Sequence, residues 1–188
     1  MRNFELIRSG IDPTPFLAEI AAIDGVWQIS TGRQDKVRVQ QEALAIALRG
    51  VKKSAIGERD RRDVHESRAT SLAQRFPYTM AFLNSFALER QGEVSRAKIV
   101  SLPPGHRVYP HIDRGQYYAQ RDRYHLVLKT GPGCWLKAGE EQLEMQLGQL
   151  WRFDNKAVHE ACNGSTGERI HFIFDLRPLA EKIFGGGE

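Results

Sequence analysis

Cysteine is scarce in this chain: only Cys134 and Cys162 occur among 188 residues. Two thiols make no disulfide framework, and a reducing cytoplasm is the natural setting for such a sequence. Long apolar runs are missing too. Residues 20–23 and 126–128 are typical of what is there, far short of the roughly 20 apolar residues that cross a bilayer, so no membrane partner is expected. The opening MRNFELIRSGIDP interrupts its apolar residues with Glu5 and Arg8 and has no continuous signal-peptide core. Nor is there an internal repeat or a low-complexity tract, the terminal Gly185-Gly186-Gly187 apart. Charge of one sign is weak: 27 Lys+Arg against 23 Asp+Glu leave +4. The densest basic stretch, residues 50–68, interleaves Glu58, Asp60, Asp63 and Glu66 with its cations. It reads as a solvated loop and argues against a nucleic-acid partner.

What is present is the composition of one globular domain, 41% hydrophobic and 27% charged. Thr14 followed by Pro15 is a helix-starting pair, and Phe16, Leu17, Ile20 and Ile23 follow at helical spacing. Strands are expected over 26–30 and 44–48. A second helix is expected over 78–90, with Phe82, Leu83, Phe86 and Ala87 as its buried stripe. From residue 94 onward the pattern shifts to short strands, expected over 96–102, 108–113, 123–129, 143–147, 150–153 and 169–176. Turn chemistry separates them: Pro103-Pro104-Gly105, Gly131-Pro132-Gly133 and Asn163-Gly164-Ser165. Strands joined by turns without helices predict an antiparallel jelly roll or barrel. The fold class is therefore α+β in a single domain, with residues 1–93 flanking, 94–178 forming the jelly-roll core and 179–188 a tail.

The segment VYPHIDRG carries the densest chemistry. His111 and Asp113 stand two apart in a strand-like stretch, an alternation that sends both to one face. An imidazole beside a carboxylate offers two ligands to a divalent metal, and His159 in WRFDNKAVHEA is the best third candidate. Two histidines and one carboxylate leave coordination positions open, as in non-haem Fe(II) oxygenases. Alternatively, these are solvated loop residues. Arg169 opens the strand RIHFIFDL, where Arg169, His171, Ile173 and Asp175 share one face and Ile170, Phe172 and Phe174 the other. A buried arginine there needs an anion, either a dicarboxylate ligand or an internal partner such as Asp175 or Glu168. In RDRYHLVLKT, Arg123 and His125 share a face that points to a cavity or to solvent. Arg107, Arg114 and Arg121 are candidates for a substrate carboxylate, residues 115–122 for a lid, and Tyr109, Trp151 and Phe153 for apolar packing near the metal.

Four ordered blocks, PPGHRVYPHID, RYHLVL, GQLWRFDNKAVHEACN and ERIHFIFD, resemble the core of the aspartyl/asparaginyl β-hydroxylase family of 2-oxoglutarate-dependent dioxygenases. The resemblance covers roughly residues 99–176. It implies a double-stranded β-helix fold and an enzyme with Fe(II), 2-oxoglutarate and O2 as cofactor and co-substrates. By that resemblance His111, Asp113 and His159 bind the iron, Arg169 holds the distal carboxylate of 2-oxoglutarate, and Arg123 with His125 line the co-substrate pocket. Asp113 stands where many eukaryotic peptide-modifying members have glycine, so the chain looks more like the bacterial branch that includes proline hydroxylases. The implied reaction is hydroxylation of an aliphatic carbon in an amino acid or peptide side chain, with succinate and CO2 as co-products. The competing readings are a non-redox cupin-like isomerase or sugar-binding protein, for which Arg169 has no role, and a basic nucleic-acid-binding module on residues 51–68.

Overall fold

In chain order the elements of the computed structural model are β1 (Phe4–Arg8), α1 (Thr14–Ala21), β2 (Leu44–Val51), β3 (Ser67–Ala69), α2 (Pro77–Glu89), β4 (Gly92–Leu102), β5 (Arg107–His111), α3 (Gln116–Ala119), β6 (Asp122–Lys129), β7 (Cys134–Ala138), β8 (Glu141–Leu143), β9 (Leu150–Phe153), β10 (His159–Asn163) and β11 (Arg169–Pro178). The structure describes residues 2–29, 41–57 and 60–179. All strand pairs are antiparallel. They form a seven-stranded sheet in the order β1-β9-β6-β11-β4-β2-β3 and a four-stranded sheet in the order β5-β10-β7-β8. The eight strands from Gly92 to Pro178 divide four to each sheet, which is the jelly roll. β1 extends the larger sheet at one edge, and β2 with β3 extends it at the other.

Alternation along β11 explains how the larger sheet is covered. Ile170, Phe172, Phe174 and Leu176 join Ile99 of β4 and Leu126 and Leu128 of β6 in one buried cluster, together with Phe16 and Ile20 of α1 and Leu83 and Phe86 of α2. Helices therefore seal the outer face. The inner face, toward the smaller sheet, carries a second cluster around Val127, Leu136, Trp151 and Phe153. The polar side chains described below share that inner side.

The first turn of α2 has no capping side chain of its own. Glu19 of α1 supplies the cap: its carboxylate accepts from the backbone N–H of Tyr78 (2.5 Å) and Thr79 (3.0 Å) and from the Thr79 hydroxyl (2.6 Å). This satisfies two orphan N–H groups and places a negative charge at the helix N-terminus. Pro15 lies in the first turn of α1, but the Thr14 N–H is met by the Asp12 carboxylate (2.9 Å).

Two of the expected elements differ here. Residues 26–28 form a 3-10 turn, entered through Gly25 at φ 64°, and no strand; residue 30 lies outside the described residues. The strand expected over 143–147 is β8, which ends at Leu143. Of the 179–188 tail, residues 180–188 lie outside the described residues. In the basic stretch Lys52 pairs with Glu66 (3.1 Å) and Arg62 with Asp60 (3.0 Å), so part of its charge is met internally; residues 58–59 lie outside the described residues. Among the described residues no helix is long and apolar enough to cross a membrane.

Phe172 is fully buried under α1, its ring centroid 5.0 Å from that of Phe174 and 6.4 Å from that of Phe16. Phe172→Ala is expected to lower stability by about 3–5 kcal/mol, read as a fall in the urea midpoint at unchanged slope.

Candidate metal centre and its cavity

β5 and β10 are neighbours, and their register sets His159 directly opposite His111. The next pair is Ala161 opposite Val108, so β5 uses three steps where β10 uses two. That β-bulge, at Tyr109–Pro110, cancels the alternation and turns both Val108 and His111 toward the cavity they line. Pro110 has no N–H to lose from the ladder and suits the position. β5 stops at His111, so the expected strand over 108–113 is too long. Asp113 is instead held by the 154–158 connection: its N–H donates to the Asn155 carbonyl (3.2 Å), and Asn155 Nδ2 donates to Asp113 Oδ2 (3.0 Å).

His111 Nε2 lies 4.0 Å from Asp113 Oδ1, and His159 Nε2 lies 3.9 Å from Asp113 Oδ2. One donor atom from each of the three residues falls within 4.8 Å of the others, the one such group found among the described residues. Each imidazole spends Nδ1 on a backbone carbonyl two residues earlier, His111 on Tyr109 (2.8 Å) and His159 on Ala157 (3.0 Å). A carbonyl only accepts, so Nδ1 carries the proton and the Nε2 lone pair is left for a metal. Burial pushes His159 down to about 4 against the pull of the Asp113 charge, which keeps the ring neutral as a ligand must be. Burial also works to raise the Asp113 carboxyl, yet Arg123, His159, Asn155 and His111 together outweigh it and hold it near 2. Two neutral imidazoles and an ionised carboxylate fit a divalent first-row metal.

Arg123 is committed to carboxylates. Its Nη1 donates to Asp113 Oδ2 (2.5 Å), while Nε and Nη2 donate to Asp175 Oδ1 (2.8 Å) and Oδ2 (3.0 Å). Tyr117 Oη donates to Asp175 Oδ2 (3.0 Å) and accepts from the Arg96 N–H (3.0 Å). The Tyr117 ring has two guanidinium neighbours, Arg96 at 3.7 Å and Arg121 at 4.2 Å from the centroid. Residues 115–122, expected as a lid, are thus nailed down. Tyr117, Tyr118 and Arg121 are buried, and Asp63 accepts from the Gln116 N–H (2.6 Å). Of the flanking arginines, Arg107 pairs with Glu160 (2.8 Å), Arg121 donates to Ser95 Oγ (2.8 Å), and Arg114 is exposed.

Between the sheets lies a cavity with about 550 Å³ of empty space, partly open to solvent. His111 and His159 line it, with Arg123, His125 and Arg169. Arg169 is 5% exposed and has no ion-pair or hydrogen-bond partner among the described residues. Both acids that could have met it are taken, Asp175 by Arg123 and Glu168 by Lys129 (3.1 Å). Burial pulls its guanidinium down to about 10, so it remains charged at neutral pH. Asn155, Lys98 and Glu160 also belong to the site or its walls, and the sequence did not single them out. Asn155 stands four residues before His159, and that proximity was the available signal.

Residues 39–178 match the family described as aspartyl/asparaginyl β-hydroxylase. The chain belongs to that family. Among curated hydroxylases, an L-proline cis-4-hydroxylase of Rhizobium meliloti is 28% identical over 112 residues, 60% of this chain and 39% of that protein. An L-proline cis-3-hydroxylase of Streptomyces is 28% identical over 130 residues, 64% and 43% of the two chains. The chain thus spans about two fifths of the length of these relatives. A Trichoplax adhaerens prolyl hydroxylase, solved with a hypoxia inducible factor peptide, superposes with a TM-score of 0.62 at 13% identity, covering 94% of this chain and 84% of that one. A Pseudomonas putida prolyl-4-hydroxylase gives a TM-score of 0.53 at 15% identity, covering 94% and 93%. These likenesses establish the shared double-stranded β-helix.

Two predictions follow from the charges of this family member. Asp175→Asn leaves the buried Arg123 with one carboxylate and is expected to cost about 3–5 kcal/mol, measured by urea unfolding. His125, His159 and His171 all have folded pKa values below the ordinary 6.5. Below 6.5 the unfolded chain therefore binds protons that the folded chain refuses, and stability falls as pH falls from about 6.5 toward 4. With chelator present, each histidine is expected to add about 1.4 kcal/mol per pH unit to that slope.

Proposed function

We propose that this chain is an Fe(II)- and 2-oxoglutarate-dependent dioxygenase that hydroxylates an aliphatic carbon of a free amino acid or of an amino-acid side chain in a peptide. The observation that carries the reading is Arg169: a buried cation without a partner among the described residues, in the same cavity as a two-histidine, one-carboxylate group. A buried charge left unpaired is costly, and a dicarboxylate offering paired acceptors to the planar guanidinium removes that cost. A cupin-like isomerase or sugar-binding protein has no use for such a group. The names of the curated relatives, two L-proline hydroxylases, favour an amino-acid substrate.

In this reading His111, Asp113 and His159 hold the iron, each imidazole aimed by its carbonyl and the carboxylate by Arg123 and Asn155. Bound iron, with 2-oxoglutarate and O2, supplies the oxidising power for C–H hydroxylation, releasing succinate and CO2. Arg169 anchors the distal carboxylate of 2-oxoglutarate. His125 lines the same space, and Arg123, with three contacts already made, faces it with its remaining N–H groups. Val100, Leu102, Leu136 and Ile173 form an apolar wall that limits water around the reacting centre. The free thiols Cys134 and Cys162 support a reducing, cytoplasmic setting.

Protein supplied with Fe(II), ascorbate and 2-oxoglutarate is expected to form succinate slowly even without a prime substrate. His111→Ala and His159→Ala should abolish this, and Arg169→Leu should raise the KM for 2-oxoglutarate by roughly 100-fold. Mass spectrometry of a panel of free amino acids and peptides, read for the gain of one oxygen, then identifies the substrate. Unchanged succinate formation in either histidine variant would remove the assigned ligands.

A further inference from the structure

His125 of β6 and His171 of β11 lie on adjacent strands inside the barrel, with His125 opposite Ile173 and His171 opposite Val127. They stand partway along β11 between Asp175, which serves the metal end through Arg123, and Arg169. Their rings are almost perpendicular, with centroids 5.5 Å apart, and the two Nδ1 atoms are 3.3 Å apart. Both side chains are nearly fully buried, and Nε2 of each has no hydrogen-bond partner among the described residues. Burial first, then the neighbouring His171 and the cations Arg169, Arg123 and Lys98, hold His125 far below its ordinary pKa, and burial with Arg169 does the same to His171. Both rings are therefore neutral at physiological pH, each with one N–H and one lone pair.

That condition restricts the pair. An Nδ1···Nδ1 hydrogen bond holds one proton, so one ring is protonated at Nδ1 and the other at Nε2. The two tautomers are locked in opposite senses, and the choice decides whether His125 offers the cavity a donor or an acceptor. Arg169 makes the cavity a place for an anion, and a carboxylate only accepts.

We infer that His171 is a positioning residue that sets the tautomer of His125: His171 Nδ1–H donates to His125 Nδ1, so that His125 Nε2–H donates to the carboxylate-bearing ligand anchored by Arg169. The inference rests on the hydroxylase reading for the identity of that ligand and adds a role for His171, which does not line the cavity itself. It also accounts for an otherwise wasteful arrangement. The unpartnered Nε2 of His125 is the group that the ligand satisfies, and the buried imidazole behind it acts as a fixed donor.

The test uses the full chain loaded with Zn(II), a diamagnetic stand-in for Fe(II), and titrated with 2-oxoglutarate by calorimetry. An asparagine amide places an N–H near the position of imidazole Nδ1, whereas leucine fills similar space without a donor. His171→Asn is therefore expected to keep the wild-type Kd within a few-fold, and His171→Leu to weaken binding roughly 10- to 100-fold, the worth of one hydrogen bond to a charged group. With Fe(II), the KM for 2-oxoglutarate should rise in His171→Leu more than kcat falls. Nitrogen-15 NMR of the His125 ring in the ligand-bound wild type is expected to show a protonated Nε2 and a bare Nδ1, a readout that stands even if the leucine variant does not fold. Equal Kd values for the asparagine and leucine variants, or a His125 protonated at Nδ1 in the complex, overturns the inference alone. A wild type that does not bind 2-oxoglutarate overturns the hydroxylase reading and the inference with it.

Discussion

The pairing of His159 with His111 across β10 and β5 is the constraint on which the site depends. A strand pair has discrete registers, and a one-residue slip would send a ligand to the opposite face. Here the bulge at Tyr109–Pro110 adds the extra residue that lets Val108 and His111 both face inward. Asp113 then reaches the same point from beyond the strand end, because Asn155 holds both its backbone and its carboxylate. Three candidate metal ligands are thus delivered by one ladder and one connection, with no long lever arm between them.

Charge inside the barrel is only partly compensated before anything binds. Arg123, Arg169 and Lys98 bring positive charges, Asp113 and Asp175 bring two negative ones, and Glu160 is paired with Arg107. The balance is uneven in space: Arg123 takes both carboxylates and Arg169 takes neither. In the proposed reading a divalent metal beside Asp113 and a dicarboxylate at Arg169 would add opposite charges of equal size, leaving the total unchanged while correcting its distribution. Metal alone would leave a surplus of positive charge in a poorly solvated space. In that reading the iron and co-substrate would favour each other through the protein's field.

Much of this was legible in residue order. Period-two alternation in RIHFIFDL separated the core-facing phenylalanines from Arg169, His171 and Asp175, because β11 is long and buried on both faces. The turn-separated strands after residue 94 spelled out the jelly roll. Failures arose where tertiary contacts decide. Alternation placed His111 and Asp113 on one strand face, whereas a bulge and a neighbouring loop place them. Residues 26–28 have strand-like composition but turn as a 3-10 helix after a left-handed Gly25. The tyrosines of 115–122 looked like lid residues, since nothing local reveals that the Tyr117 hydroxyl meets Asp175, 58 positions away. The partner of Arg169 was the hardest question. Both nearby acids were plausible, and only the packed structure assigns one to Arg123 and the other to Lys129.

One strand carries both stability and chemistry, and this shapes how the barrel can vary. Ile170, Phe172, Phe174 and Leu176 of β11 hold α1 and α2 against the sheet, while Arg169 and Ile173 line the cavity and His171 and Asp175 are buried beside it. A substitution on the outer face changes packing, a cost set by cavity and volume. A change on the inner face disturbs charges that are each compensated by a specific group, and its cost is set by what remains unpaired. Arg169 differs from its inner-face neighbours because no carboxylate among the described residues compensates it, and in the proposed reading that compensation comes with the ligand.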